Sequence, residues 1–171
     1  NLKFYNNIAS SDLLRSTILS EKYGAYVECA ETIVNILSNP KRVLDIGCNI
    51  GYLTTWYALH FNNTAIVGID NSINSIQYAN VMAKKVGITN VRFKAIDMNS
   101  MDFPYKSFDV IIDTQSIVYA KIPSKVIKAI RDLIRSDGTF ISIPAIGEHD
   151  LIEKYLDEIR QAGFIINRFE Y

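Results

Sequence analysis

The apolar positions change period near residue 40. Upstream, Tyr23, Tyr26, Val27, Ala30, Ile33, Val34 and Leu37 recur at helical spacing, which predicts a helix from about residue 21 to residue 37. Asn39-Pro40 ends it, because a residue before proline is pushed out of the helical region. Ser10-Ser11-Asp12 reads as the cap of an earlier helix that carries Leu13, Leu14, Ile18 and Leu19. Downstream, short apolar runs alternate with helical patterns. The runs are 42–46, 65–69, 91–96, 108–112, 139–143 and 164–169. Between them, residues 52–61 suit a helix, and Ile73, Ile76, Ala79, Ala83 and Val86 form one helical face capped by Gly87. Pro123 opens a helix with Val126, Ile127, Ile130, Leu133 and Ile134 on its buried side. Asp137-Gly138 then turns into a strand. Leu151, Tyr155, Leu156 and Ile159 mark a last helix, ended by Gly163. Continuously apolar strands separated by helices imply an α/β fold, with a mostly parallel sheet covered on both faces.

Composition narrows this picture without changing it. The chain has 171 residues, 49% of them hydrophobic and 21% charged, so it reads as one globular domain. The expected organisation is a helical extension over 1–39 and a core over 40–171. Eighteen basic residues balance eighteen acidic ones, which disfavours a nucleic-acid partner. Cys29 and Cys48 are too few for a disulfide scaffold, and a reducing cytoplasmic setting is expected. No apolar run approaches the roughly 18 residues of a membrane span.

Ligands of an open parallel sheet bind beyond the carboxyl ends of its strands. Asp45, Asp70 and Asp97 fall at three successive strand ends, and Asp113 at a fourth. An Asp in that position is also an ordinary turn or helix cap. The first strand feeds the loop Gly47-Cys48-Asn49-Ile50-Gly51, which opens a helix. Glycines there admit close approach of a ligand to the backbone, and the helix start favours an anionic group such as a carboxylate.

The segment Val43-Leu44-Asp45-Ile46-Gly47-Cys48-Asn49-Ile50-Gly51 resembles the first motif of class I S-adenosylmethionine methyltransferases. Val67-Gly68-Ile69-Asp70-Asn71-Ser72 resembles their second-strand acidic motif. Ala95-Ile96-Asp97-Met98 resembles the third motif, and Phe108-Asp109-Val110-Ile111-Ile112-Asp113 the fourth. The order of four motifs is more telling than any one of them. The resemblance covers about residues 41–169 and implies a Rossmann-like three-layer sandwich that binds S-adenosylmethionine. It implies that the Gly47–Gly51 loop, with Cys48 and Asn49, passes under the methionine part of the cofactor. Asp45 would orient the ammonium, Asp70 the two ribose hydroxyls and Asp97 the adenine amino group, with Met98 against the ring and with Ile50 and Asn71 as further neighbours of the cofactor. Asp70 stands about 20 residues beyond Gly51, the ribose-acid spacing of nucleotide folds. Asp113 would lie near the sulfonium.

Two departures stand out. Asn49 replaces the glycine usual at the loop's middle position; asparagine tolerates left-handed backbone better than most residues. The family sheet also closes with two strands after the last helix, where this chain offers one, 164–169.

The acceptor is less legible. Asp113-Thr114-Gln115-Ser116 lacks the paired prolines of amino-group nucleic-acid methyltransferases, and neither cysteine is placed for a cytosine-5 nucleophile. No metal site is expected. A small molecule or a protein side chain is therefore the expected acceptor. His149, in Gly147-Glu148-His149-Asp150, is a candidate general base, with Asp113 as a second catalytic candidate. Tyr5, Tyr23 and Tyr119 are candidates for the acceptor pocket. Two rival readings remain: a nicotinamide-dependent oxidoreductase, whose third fingerprint glycine would fall on Tyr52, and a binding subunit that holds the cofactor without turnover.

Overall fold

The computed structural model describes residues 24–144 and 149–167. Helix α1 spans Gly24–Ile36. Five strands follow: β1 (Arg42–Ile46), β2 (Ala65–Asp70), β3 (Val91–Ala95), β4 (Phe108–Thr114) and β5 (Ile134–Ile143). Helices α2 (Tyr52–His60), α3 (Ile73–Lys85), α4 (Pro123–Leu133) and α5 (His149–Gln161) complete the regular elements, with 3-10 turns at Met98–Ser100 and Ile117–Tyr119. The expectation for Ser10-Ser11-Asp12 lies outside the described residues.

The sheet is parallel throughout, in the order β3-β2-β1-β4-β5. Its alternating side chains divide the core into two layers. Val43, Ile66, Val110 and Ile112 face α1, α2 and α3, against Ala30, Ile33, Tyr57, Ala58, Ile76 and Ala79. Leu44, Ile46, Ile69 and Ile111 face α4 and α5, against Val126, Ile127, Ile130, Tyr155 and Ile159. This is the α/β, Rossmann-like three-layer arrangement that the period change predicts. Strand order reverses between β1 and β4, so the ligand crevice of such a sheet lies beyond their carboxyl ends.

Two elements differ from the sequence reading. Strand β5 begins at Ile134, which had been assigned to the preceding helix. Phe108 pairs with Ile134 but Val110 with Thr139, so the turn residues Arg135–Gly138 are extra chain inside one strand. Gly138 fits there because a Cβ would meet the Asp109 carbonyl oxygen at 2.8 Å. The expected last strand is absent from the described part of its range. Residues 164–167 pair with no strand, and 168–169 lie outside the described residues. Phe164 and Ile166 still pack against the α4–α5 layer while Ile165 is exposed. The in-out alternation is real, but a strand also needs a hydrogen-bonded neighbour.

No helix among the described residues is long and apolar enough to cross a membrane.

Candidate functional site

The glycine loop leaves β1 through backbone that few residues adopt. Gly47 has φ +70°, Asn49 +51° and Gly51 +80°. At Gly47 a Cβ would stand 2.2 Å from Ser116 Cβ, and at Gly51 it would stand 2.6 Å from the Phe93 ring. Both positions therefore exclude a side chain twice over, by conformation and by space. Asn49 is the asparagine that the sequence places in a left-handed position. Cys48 N–H donates to the Ile69 carbonyl at 2.9 Å, tying the loop to β2. Helix α2 starts at Gly51 with no side-chain cap and no acidic residue in its first turn. No acidic side chain of its own thus competes for the partial positive charge there.

The aspartates lie around this loop in different ways. Asp70, half-buried at the end of β2, accepts from Asn49 N–H at 3.0 Å and from Ser72 N–H at 2.8 Å, one on each oxygen. A carboxylate has about four acceptor positions, so two remain. Asn71, the next residue, is exposed. Asp45 is 2% exposed, faces α2 and accepts from Thr54 Oγ1 at 2.5 Å. Burial pushes its carboxyl up to about 7, against the Thr54 hydrogen bond, with Asp113 and Asp70 adding repulsion. Asp97 caps the 3-10 turn, accepting from the backbone and side-chain N–H groups of Asn99 at 2.9 and 2.6 Å. Those bonds hold its carboxyl below the usual range. Met98 opens that turn, half-buried against the α4–α5 layer.

Asp113 is fully buried on the opposite face from Asp45. Its Oδ1 accepts from Ser116 N–H and Ile117 N–H, both at 3.0 Å, and lies 2.5 Å from Ser116 Oγ. Its Oδ2 accepts from Ser142 Oγ at 2.9 Å. Burial raises its pKa and the hydrogen bonds oppose the rise. The sequence put Asp113 beside the sulfonium as a catalytic candidate; the structure seals its carboxylate beneath the strand ends.

The remaining candidates scatter. Tyr119 ends its 3-10 turn 80% exposed. His149 is the first residue of α5, so it belongs to the helix rather than to the loop before it. Tyr5 and Tyr23 lie outside the described residues. Cys48 is buried, which pushes its thiol up, so it is no nucleophile. Among the described residues no three His, Cys, Asp or Glu side chains gather closely enough to hold a metal ion.

Sequence reasoning missed Thr54, Ser142, Tyr155 and the role of Ser116. Ser142 had a visible signal, a hydroxyl inside an apolar strand. Tyr155 had none, since it fits the apolar face of α5. The hydroxyls of Tyr57 and Thr114 are also sealed from solvent, facing each other.

Comparison with known proteins agrees with this geometry. The family profile described as "Methyltransferase domain" matches residues 37–164. The methyltransferase YcgJ of Bacillus subtilis is 23% identical over 121 residues, covering 70% of this chain and 47% of that protein. A sterol 24-C-methyltransferase of Debaryomyces hansenii is 30% identical over 118 residues, covering 68% of this chain and 30% of its own length. The chain thus spans less than half the length of these curated relatives. Among solved structures, a SAM-dependent methyltransferase from Aquifex aeolicus superposes with a TM-score of 0.72 at 16% identity, covering 98% of this chain and 90% of that one. The [4+2]-cyclase SpnF superposes with a TM-score of 0.78 at 23% identity, covering 89% and 62%.

Proposed function

Because this chain belongs to the class I S-adenosylmethionine-dependent methyltransferase family, we propose that it binds S-adenosylmethionine and carries its methyl group to a small-molecule acceptor. The observation that carries the reading is the join between loop and second strand. Asp70 holds the left-handed Asn49 N–H and keeps acceptor capacity at a half-buried position beside the loop. Two vicinal hydroxyls match such a carboxylate.

The other groups fit the rest of the cofactor. Asp45, with its carboxyl raised by burial, suits an incoming ammonium, whose charge would draw it to the ionised form. The uncapped start of α2 suits the carboxylate. Asp97 and Met98 take the adenine end, and Cys48 and Asn71 line the path between. The cofactor supplies an electrophilic methyl group. The protein's share is alignment of the acceptor and exclusion of water.

The acceptor class rests on the relatives. They include a phosphoethanolamine N-methyltransferase of Zea mays, 29% identical over 148 residues, besides the sterol enzyme. His149 and Tyr119 remain the residues to test on the acceptor side, His149 as a base where the acceptor arrives protonated. Two unpaired cysteines suit a cytoplasmic setting.

The SpnF likeness favours keeping one second reading, since a fold does not fix a reaction. The chain then holds the cofactor without methyl transfer. Incubation with methyl-labelled S-adenosylmethionine and a panel of amine, phenol and sterol acceptors separates the two. Label in an organic product supports methyl transfer. Cofactor binding with no labelled product from any acceptor overturns it.

A further inference from the structure

Beneath the glycine loop runs a line of hydroxyls, buried at Tyr155 and Ser116 and half-buried at Ser142, that the motifs do not include. It begins on α5. The Tyr155 hydroxyl lies 2.8 Å from Ser142 Oγ, and Ser142 Oγ donates to Asp113 Oδ2 at 2.9 Å. Since the Ser142 proton points to the carboxylate, Tyr155 is the donor to Ser142. Asp113 in turn fixes Ser116 through its backbone N–H and its hydroxyl. Ser116 Oγ also lies 2.8 Å from the Ile46 carbonyl, the last peptide before Gly47, so its single hydroxyl proton is shared between that carbonyl and Asp113 while the backbone N–H holds Ser116 to Asp113. Ser116 Cβ also fills the space where a side chain at Gly47 would stand. The line therefore joins α5, β5, β4 and the end of β1, and it ends at the first peptide of the loop.

We propose that Ser142 and Tyr155 are positioning residues, which act through Asp113 and Ser116 to hold the Gly47–Gly51 loop in its cofactor-binding shape. Two physical points support this. Tyr155, Asp113 and Ser116 are buried and Ser142 half-buried, and a largely buried chain of hydrogen bonds is costly to leave half-made. The loop it braces occupies three left-handed positions, at 47, 49 and 51, which local preference alone does not hold in place. The sequence hides the line because its members come from three separate elements, β4 and its following turn, β5 and α5.

The consequence for cofactor affinity rests on the proposed function, so the test has two arms. The first uses amide hydrogen exchange on the full chain without ligand. Ser142→Ala should speed exchange at Ser116, Ile117 and Cys48 by about tenfold, and Tyr155→Phe by about three- to fivefold, the range of one lost hydrogen bond. Adding Tyr155→Phe to Ser142→Ala should change nothing further, because the link between them is already cut. Ser142→Thr keeps the hydroxyl and should restore wild-type exchange. The second arm titrates S-adenosylhomocysteine well below the unfolding temperature, where the two single variants should lose affinity by similar factors and Ser142→Thr should not. Unchanged exchange in Ser142→Ala overturns the brace. Faster exchange with intact affinity overturns positioning and leaves a merely structural line. A wild-type chain that binds no S-adenosylhomocysteine overturns the functional reading instead, and the exchange arm still decides whether the brace exists.

Discussion

The strands on either side of β1 end in aspartates that do similar local work and reach opposite outcomes. On the β2 side, Asp70 accepts two backbone N–H groups and stays half-buried. On the β4 side, Asp113 draws in two backbone N–H groups and two hydroxyls and is sealed. One carboxylate has capacity left for a ligand. The other has spent its capacity on the protein. A strand-end Asp thus keeps acceptor capacity or spends it on the protein according to how many donors the following turn brings, which a motif does not state.

The strongest way to break this comparison is to disturb the point where the two sides meet. Gly47→Ala puts a Cβ into Ser116 on a left-handed backbone. The strain alone costs about 1–2 kcal/mol, and the overlap adds to it. Urea unfolding should show a loss above about 2 kcal/mol, and cofactor titration should show no measurable binding. The comparison then predicts a split between the aspartates. Asp113→Ala strands the Ser116 and Ile117 backbone N–H groups in the interior, while the Ser116 and Ser142 hydroxyls keep the Ile46 carbonyl and Tyr155 as partners, and should cost about 2–4 kcal/mol in urea unfolding. Asp70→Ala should cost less stability but lower S-adenosylhomocysteine affinity roughly 100-fold, the worth of two hydrogen bonds to a charged group. Equal losses of stability would show that the two sides do not differ in kind.

Asp45 sharpens the picture through pH. Its folded pKa, about 7, stands above the unfolded carboxylate value. Between those values the native state holds more protons than the unfolded one. Its contribution to stability is therefore full below about pH 4 and lost as pH rises through about 7. Asp113 is raised in the same direction and Asp97 lowered, so the useful quantity is the difference between wild type and Asp45→Asn. Wild-type stability minus that of Asp45→Asn should fall as pH rises from about 4 to about 7, measured by urea unfolding without ligand. Cofactor affinity should move the other way, rising through the same range as Asp45 ionises to meet an ammonium. The smallest effect is expected at Asn49→Gly. Glycine accepts the φ of +51° at no cost, and among the described residues the side-chain bond lost is the 3.4 Å contact from Ser75 Oγ. Thermal unfolding should shift little, and affinity should stay near wild type.

The sequence made the fold legible where punctuation is strong. Pro40, Gly87, Pro123 and Gly163 bracket helices, and the apolar runs between them became strands in parallel order. It misled where pairing rather than pattern decides. Ile134 has the period of α4 yet pairs with Phe108, and residues 164–167 alternate in and out without a partner strand. In the site, the loop and Asp70 were legible because left-handed backbone packed against Ser116 and Phe93 requires glycines at 47 and 51, with an acid following at the next strand end. The brace was not, because a serine in a strand and a tyrosine on a helix carry no spacing signal until the chain folds.

Thermal unfolding of the wild-type chain with S-adenosylmethionine, S-adenosylhomocysteine and NAD, each repeated on Asp70→Ala, tests the central claim most directly. A ligand at about 100 times its dissociation constant adds about 2.7 kcal/mol of stability. The two adenosyl ligands should raise the unfolding temperature of wild type and leave Asp70→Ala nearly unmoved, with NAD inert on both. Stabilisation by NAD alone, or by none of the three, would contradict the account.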